Sequence, residues 1–240
     1  KSVIERYIKI ISLIQEIDPK LITKREIQIG QLGSAFHDDV QNFVEKIEIE
    51  KEIINGDPNP FAGMEKKVRA RDTINNEEES YKPAIEYMRE VNKTKPNTFT
   101  KEDEDMLHAQ IAVTVPDFDI ENKTVFQPNL TKDSKVIDIA LALADINGAG
   151  IDGAEQFINE GNALFREENL DIMEAVFDMK NGKSIPEKNQ EYFKHRIIKW
   201  SEIQPAFAQG RKNLLDKELS NLPPAIQTAL KEKIFNKFDE

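Results

Sequence analysis

Gly30-Gln31-Leu32-Gly33-Ser34-Ala35-Phe36-His37-Asp38-Asp39-Val40 reads as a small-residue and apolar helix face that ends in an adjacent His and Asp. Imidazole nitrogen beside carboxylate oxygen suits divalent ions from Zn and Fe through Mn to Mg, and a helix packed on both sides would hold such ligands still. The dipeptide alone is a weak signal. Its weight has to come from the rest of the chain.

Upstream, Val3, Ile4, Tyr7, Ile8, Ile11 and Ile14 recur at three- and four-residue spacing, the mark of an amphipathic helix. No capping residue precedes them, so the chain is expected to begin as an internal fragment, with residues belonging before Lys1. Asp18-Pro19 breaks this helix, and a second runs from about Thr23 to the His37-Asp38 pair. Val40 to Ile54 alternates Ile and Glu as a strand would, yet no partner strand is evident, and it reads as helix or irregular. Residues 55–74 read as a mobile loop, from Asn55-Gly56-Asp57-Pro58 through the charged stretch ending at Asp72.

Helical spacing then resumes from Asn75 to about Lys95-Pro96. Thr100 caps a further helix that stops at Val115-Pro116, and Thr124 to Thr131 reads as a loop around Pro128. Val136 to Ile146 has no polar face and is expected to be central and buried. After the glycines at 148, 150 and 153, Ala154 to Phe177 reads as one long helix. Two more follow, about Pro186 to Gly210 and Pro223 to Phe238. The expectation is an all-α fold, a single helical-bundle domain over 1–240 with residues 184–240 forming C-terminal helices packed on the core.

Composition narrows the function. Basic residues number 33 against 44 acidic, a net charge of −11 that disfavours a nucleic-acid partner. The longest apolar run, Ile139 to Ala144, is far short of the ~20 residues of a transmembrane helix, so no membrane partner is expected. There are no cysteines, which excludes disulfides and thiolate chemistry and fits a cytoplasmic location. A homodimer is left open.

Three stretches carry candidate chemistry: His37-Asp38, Asn76-Glu77-Glu78-Glu79-Ser80, and Asp145, the one carboxylate ending the most apolar helix. A carboxylate there is costly unless paired, neutral or metal-bound, though Asn147-Gly148 would also allow it to sit half-solvated at the helix end. Glu77 and Glu78 serve equally well as first-turn acids complementing the helix dipole. His108 either lines a pocket as a proton donor or is a satisfied core residue. His195, between Lys194 and Arg196, reads as surface, and Arg166 either pairs with Glu167-Glu168 or contacts phosphate.

In order and spacing these motifs resemble the HD-domain metal-dependent phosphohydrolase superfamily. The nearest pattern is that of its cyclic-nucleotide phosphodiesterase-like members. Ala144-Asp145-Ile146-Asn147 looks like their Ala-Asp-Leu-Ser, and Glu155-Gln156-Phe157-Ile158-Asn159-Glu160-Gly161-Asn162 looks like their Glu-Phe-Phe-x-Gln-Gly-Asp, so the resemblance covers roughly Lys1 to Arg166. It implies a divalent metal ion (Mn, Fe, Mg, Zn or Ni) held by His37, Asp38 and Asp145, with a further histidine on the preceding helix. The chain departs from the pattern here, since Lys1 to Ile17 contains no histidine; the missing ligand is expected before Lys1, and a decayed, metal-free site is the rival explanation. The implied chemistry is hydrolysis of a small phosphorylated substrate such as a nucleotide, with Glu77 or Glu78 orienting or deprotonating the attacking water and His108 at hand. Gln156, Asn162 and Arg166 are the expected substrate contacts. A helical module that has lost catalysis and binds a ligand or a protein is the alternative.

Overall fold

Residues 137–144 are all buried, as a helix without a polar face must be. The computed structural model describes residues 2–54, 56–71 and 73–238. It runs α1 (Ser2–Ile17), α2 (Lys24–Phe36), β1 (Phe43–Ile49), β2 (Ile53–Ile54), β3 (Asp57–Pro58), β4 (Glu65–Arg71), α3 (Thr73–Thr94) and α4 (Lys101–Ala112). It continues β5 (Asp117–Asp119), β6 (Thr124–Phe126), α5 (Val136–Ile146), α6 (Gly148–Asp152), α7 (Ala154–Glu168), α8 (Leu170–Lys180), α9 (Glu187–Leu219) and α10 (Pro224–Lys233). The protein is thus mostly helical with small two-stranded sheets. No helix among the described residues is long and apolar enough to cross a membrane.

The chain divides into two compact units. The first comprises Lys1–Gln41, Thr73–Phe157 and Ala206–Glu240; the second comprises Asn42–Asp72 and Ile158–Pro205. In the first unit α5 packs against α1, α2 and α4. Tyr7, Ile10 and Ile14 of α1 are fully buried against Ile139 and Leu143, and Leu215 through Phe235 supply further apolar side chains to the same core. A smaller cluster of Ile29, Ala84, Met88, Leu107 and Ile111 joins α2, α3 and α4.

The glycines of the opening stretch have a packing reason. A Cβ on Gly30 would fall 1.6 Å from Tyr7 Oη, and one on Gly33 would fall 2.2 Å from Gln110 Oε1. Their absence lets Gln110 Nε2 reach the carbonyls of Gly30 and Ile137, both at 3.3 Å, tying α4 to α2 and α5. Thr23 starts α2 through a reciprocal capping box with Glu26, and Thr100 does the same for α4 with Asp103.

Several expectations are corrected. The alternating segment after Val40 is strand β1, and its partner is β4, which lies inside the stretch expected to be a mobile loop. Val68 is the one buried residue of β4, so the sequence of that strand shows no apolar periodicity to betray it. Pro58, within the same expected loop, pairs with Ile53; Asn55 and Asp72 lie outside the described residues. Thr124 to Phe126 pairs with β5 rather than looping. The helix expected over Ala154 to Phe177 breaks at Asn169, whose backbone leaves helical geometry. Conversely, α9 runs through Gly210 to Leu219. Gly210 is a packing glycine, since a Cβ there would sit 2.2 Å from the Asn122 carbonyl.

In the second unit, β4 packs on α8, where the Lys67 backbone N–H donates to Asp171 Oδ2 at 3.2 Å. Buried Arg196 of α9 donates to Asp171 and to Asn169 Oδ1, both at 2.5 Å, so the cation is paired as burial requires.

Candidate functional site

His37 follows the last turn of α2 and is buried, with its side chain 6% exposed. Its Nδ1 lies 3.1 Å from the Ser34 carbonyl, which can only accept, so Nδ1 carries the proton donated there. Nε2 is left facing Asp145 Oδ1 at 3.5 Å and Asp38 Oδ2 at 3.8 Å, and it has no hydrogen-bond partner although buried. Burial works to lower the pKa of this imidazole. The Asp145 carboxylate, with Asp38 and the Ser34 carbonyl behind it, outweighs burial and holds the pKa up at about 9.

Each carboxylate is itself held. Gln127 Nε2 donates to Asp145 Oδ2 at 3.0 Å, and Gln41 Nε2 donates to Asp38 Oδ1 at 2.7 Å. Asp38 is half exposed and Asp145 largely covered. Ser80 of α3 accepts the Val40 N–H at 3.0 Å, fastening the turn after His37-Asp38 to α3. On the same helix Glu77 is buried, with Oε2 lacking a partner. Burial pushes the Glu77 carboxyl up to about 7; Asp38 and Asp145 add to the shift, while a backbone hydrogen bond and His37 oppose it.

The expected ligands His37, Asp38 and Asp145 therefore lie together, with Glu77 in their field. Glu78 instead turns outward and meets His108 Nε2 at 3.2 Å, both side chains about half exposed. With Tyr81 and Ile111 they line a cleft of about 70 Å³ that also touches Glu77, room for a few waters and no more. Gln156 is exposed; Asn162 and Arg166, half-buried and exposed, belong to the second unit. The ion pair expected of Arg166 with Glu167-Glu168 is not found among the described residues; Glu167 instead takes Arg71 at 3.0 Å. His195 is exposed, with its ring 5.0 Å from that of Phe61.

Sequence reasoning missed Gln127. It sits in an expected loop, and nothing next to it signals a partner eighteen residues away. Gln127 also lines a cavity of about 440 Å³ with Phe126, Lys132, Lys217, Ser220 and Asn221, a volume in the range of small-molecule sites. Glu218, at its wall, is already bonded to buried Arg211.

Among the described residues no three His, Asp or Glu side chains form a complete metal-holding group. The donor chemistry nevertheless fits an ion. An imidazole fixed through Nδ1 to a backbone carbonyl, with an orphaned Nε2 turned to two carboxylates, is how a metal-ligating histidine is held. Comparison of the chain with protein-family models, curated proteins and solved structures returns no match.

Proposed function

We propose that the protein is a metal-dependent phosphohydrolase of the HD type, acting on a small organic phosphate such as a nucleotide. The observation that carries this reading is the buried Nε2 of His37, which makes no close hydrogen bond and faces Asp145 at 3.5 Å and Asp38 at 3.8 Å. These three side chains would hold a divalent ion, which when bound would acidify water and neutralise charge on phosphoryl oxygens. Gln127 and Gln41 hold the two carboxylates by one oxygen each, leaving the other directed at His37. Glu77, its pKa raised to about 7, is suited to take a proton from the attacking water near neutral pH. Lys132, and Lys217 against Asp119 on the same wall, would supply positive charge for a phosphate in the cavity beside Gln127, and Phe126 an apolar wall for its organic part.

One observation favours a second reading, a helical module without catalysis. A protonated His37 between two carboxylates is charge-neutralised without a metal, and such an ion pair can close the site as a purely structural contact. Manganese titration by calorimetry separates the two. Near-stoichiometric binding that disappears in Asp145→Ala, with nucleotide or model-phosphoester hydrolysis that falls by about 10²-fold or more in Glu77→Gln, supports the enzyme. No binding by the parent protein supports the module.

A further inference from the structure

Strand β1 leaves one edge open, and its register shows which backbone groups face outward. Lys67 lies opposite Ile47, yet the Lys67 N–H turns away from β1 to Asp171 of α8. Lys67 and Ile47 are therefore a non-hydrogen-bonded pair, and Ile47 also points its N–H and C=O away from β4. The bond from the Glu50 N–H to the Met64 carbonyl, at 2.9 Å, gives the same parity one step beyond the ladder. Residues 44, 46 and 48 thus face β4, and 43, 45, 47 and 49 present their backbone groups at the open edge. α8 packs along β4, and among the described residues β1 pairs with no strand other than β4. Val44, Ile47 and Ile49 of β1 are exposed at 50%, 68% and 66%, with Ile53 and Ile54 exposed just beyond them.

An open, apolar edge strand is a template for another strand, and natural proteins usually blunt such edges. The charges of Glu45-Lys46-Ile47-Glu48-Ile49 choose what fits. In an antiparallel pairing of β1 with itself, a dyad at Glu45, Lys46 or Glu48 sets like charges face to face, and one at Ile49 opposes Glu48 to Glu50. A dyad at Ile47 sets Ile47 against Ile47 and places Lys46 opposite Glu48 twice, once on each side. This register also uses the outward-facing odd residues as its hydrogen-bonded pairs, as the backbone requires.

We propose that β1 is the seam of a homodimer, in which two copies pair antiparallel with Ile47 on the two-fold axis and form one sheet in the order β4-β1-β1-β4. The contact is isologous, so it closes at two chains. It is independent of the metal site.

The test uses the full chain in sedimentation equilibrium across the micromolar range, with thermal melts confirming that each variant is folded. Lys46→Glu and Glu48→Lys each set like charges across the seam and are expected to weaken the dimer by about tenfold or more, while the double exchange restores it. Because the chain has no cysteine, Ile47→Cys gives a single reporter. Hydrogen-bonded antiparallel pairs hold their Cα atoms about 5.5 Å apart, within disulfide reach, so Ile47→Cys is expected to cross-link on oxidation and Val44→Cys is not. A monomeric parent protein overturns the proposal, even if it captures a foreign peptide strand. So does a dimer indifferent to the charge exchanges and lacking the Ile47→Cys cross-link.

Discussion

Asp138 shows how a single buried carboxyl carries two opposed effects. At the third position of α5 it accepts the Lys135 N–H through Oδ2 at 2.9 Å, which starts the helix, while Oδ1 is buried without a partner. Burial raises its pKa to about 6; the Lys135 N–H and ammonium pull it back, and Glu26 pushes it further up. Between about pH 4 and pH 6 the folded chain therefore holds a proton that the unfolded chain has lost, and this site's contribution to stability falls as pH rises through that window. Asp138→Asn keeps an acceptor for Lys135 and removes the buried charge. It is expected to be more stable than the parent by about 1–2 kcal/mol at pH 7, with the difference fading towards pH 4. Urea denaturation at the two pH values measures this, and a variant less stable at pH 7 would show that the helix-dipole attraction of the carboxylate exceeds its burial cost. The importance of Asp138 was not legible from its residue type. The apolar run predicts a buried helix, but which side chains lie over its first turn is set by the packing of other helices.

At the scale of elements, the turn after α2 matters most, because α3 holds it. Ser80 is fully buried and its Oγ both accepts from the Val40 N–H and approaches the Val40 carbonyl. Ser80→Ala leaves a backbone N–H unpaired and is expected to destabilise the protein by about 1–2 kcal/mol, read as a lower denaturant midpoint at unchanged slope. An unaltered midpoint would mean that the turn is held by its other contacts and that α3 merely lies beside it. The Asn76 to Ser80 segment was legible as one element with His37-Asp38 only through a family resemblance. Its physical basis, one residue fastening the turn and another three positions earlier facing the carboxylates, appears only once α2 and α3 are packed. The split at Asn169 and the run of α9 through Gly210 were hidden for a related reason. Asn169 stops one helix in this fold, and Gly210 is chosen for closeness to Asn122 rather than for ending a helix.

For the whole molecule, α5 is the element around which the first unit closes, packed by α1, α2 and α4 and buried over residues 137–144. Its amides are expected to exchange with solvent only through global opening, so peptides over 136–146 should be the slowest to deuterate in a mass-spectrometric experiment. Faster exchange there than in α10 would relocate the stable centre of the protein. The centrality of α5, the periodic face of α1 and the cap at Thr100 could be anticipated from residue order, since each rests on chemistry that a residue shares with neighbours one or two helical turns away. That His37, Asp38 and Asp145 belong to one site was implied only by the family resemblance. The pairing of β1 with β4, the hold of Gln127 on Asp145, and the burial of Arg6, Arg196 and Arg211 against their partners were decided by tertiary structure alone. A strand with one buried residue and a cation buried beside a distant carboxylate look like surface in the sequence, because the groups that cover or neutralise them arrive only when the chain folds.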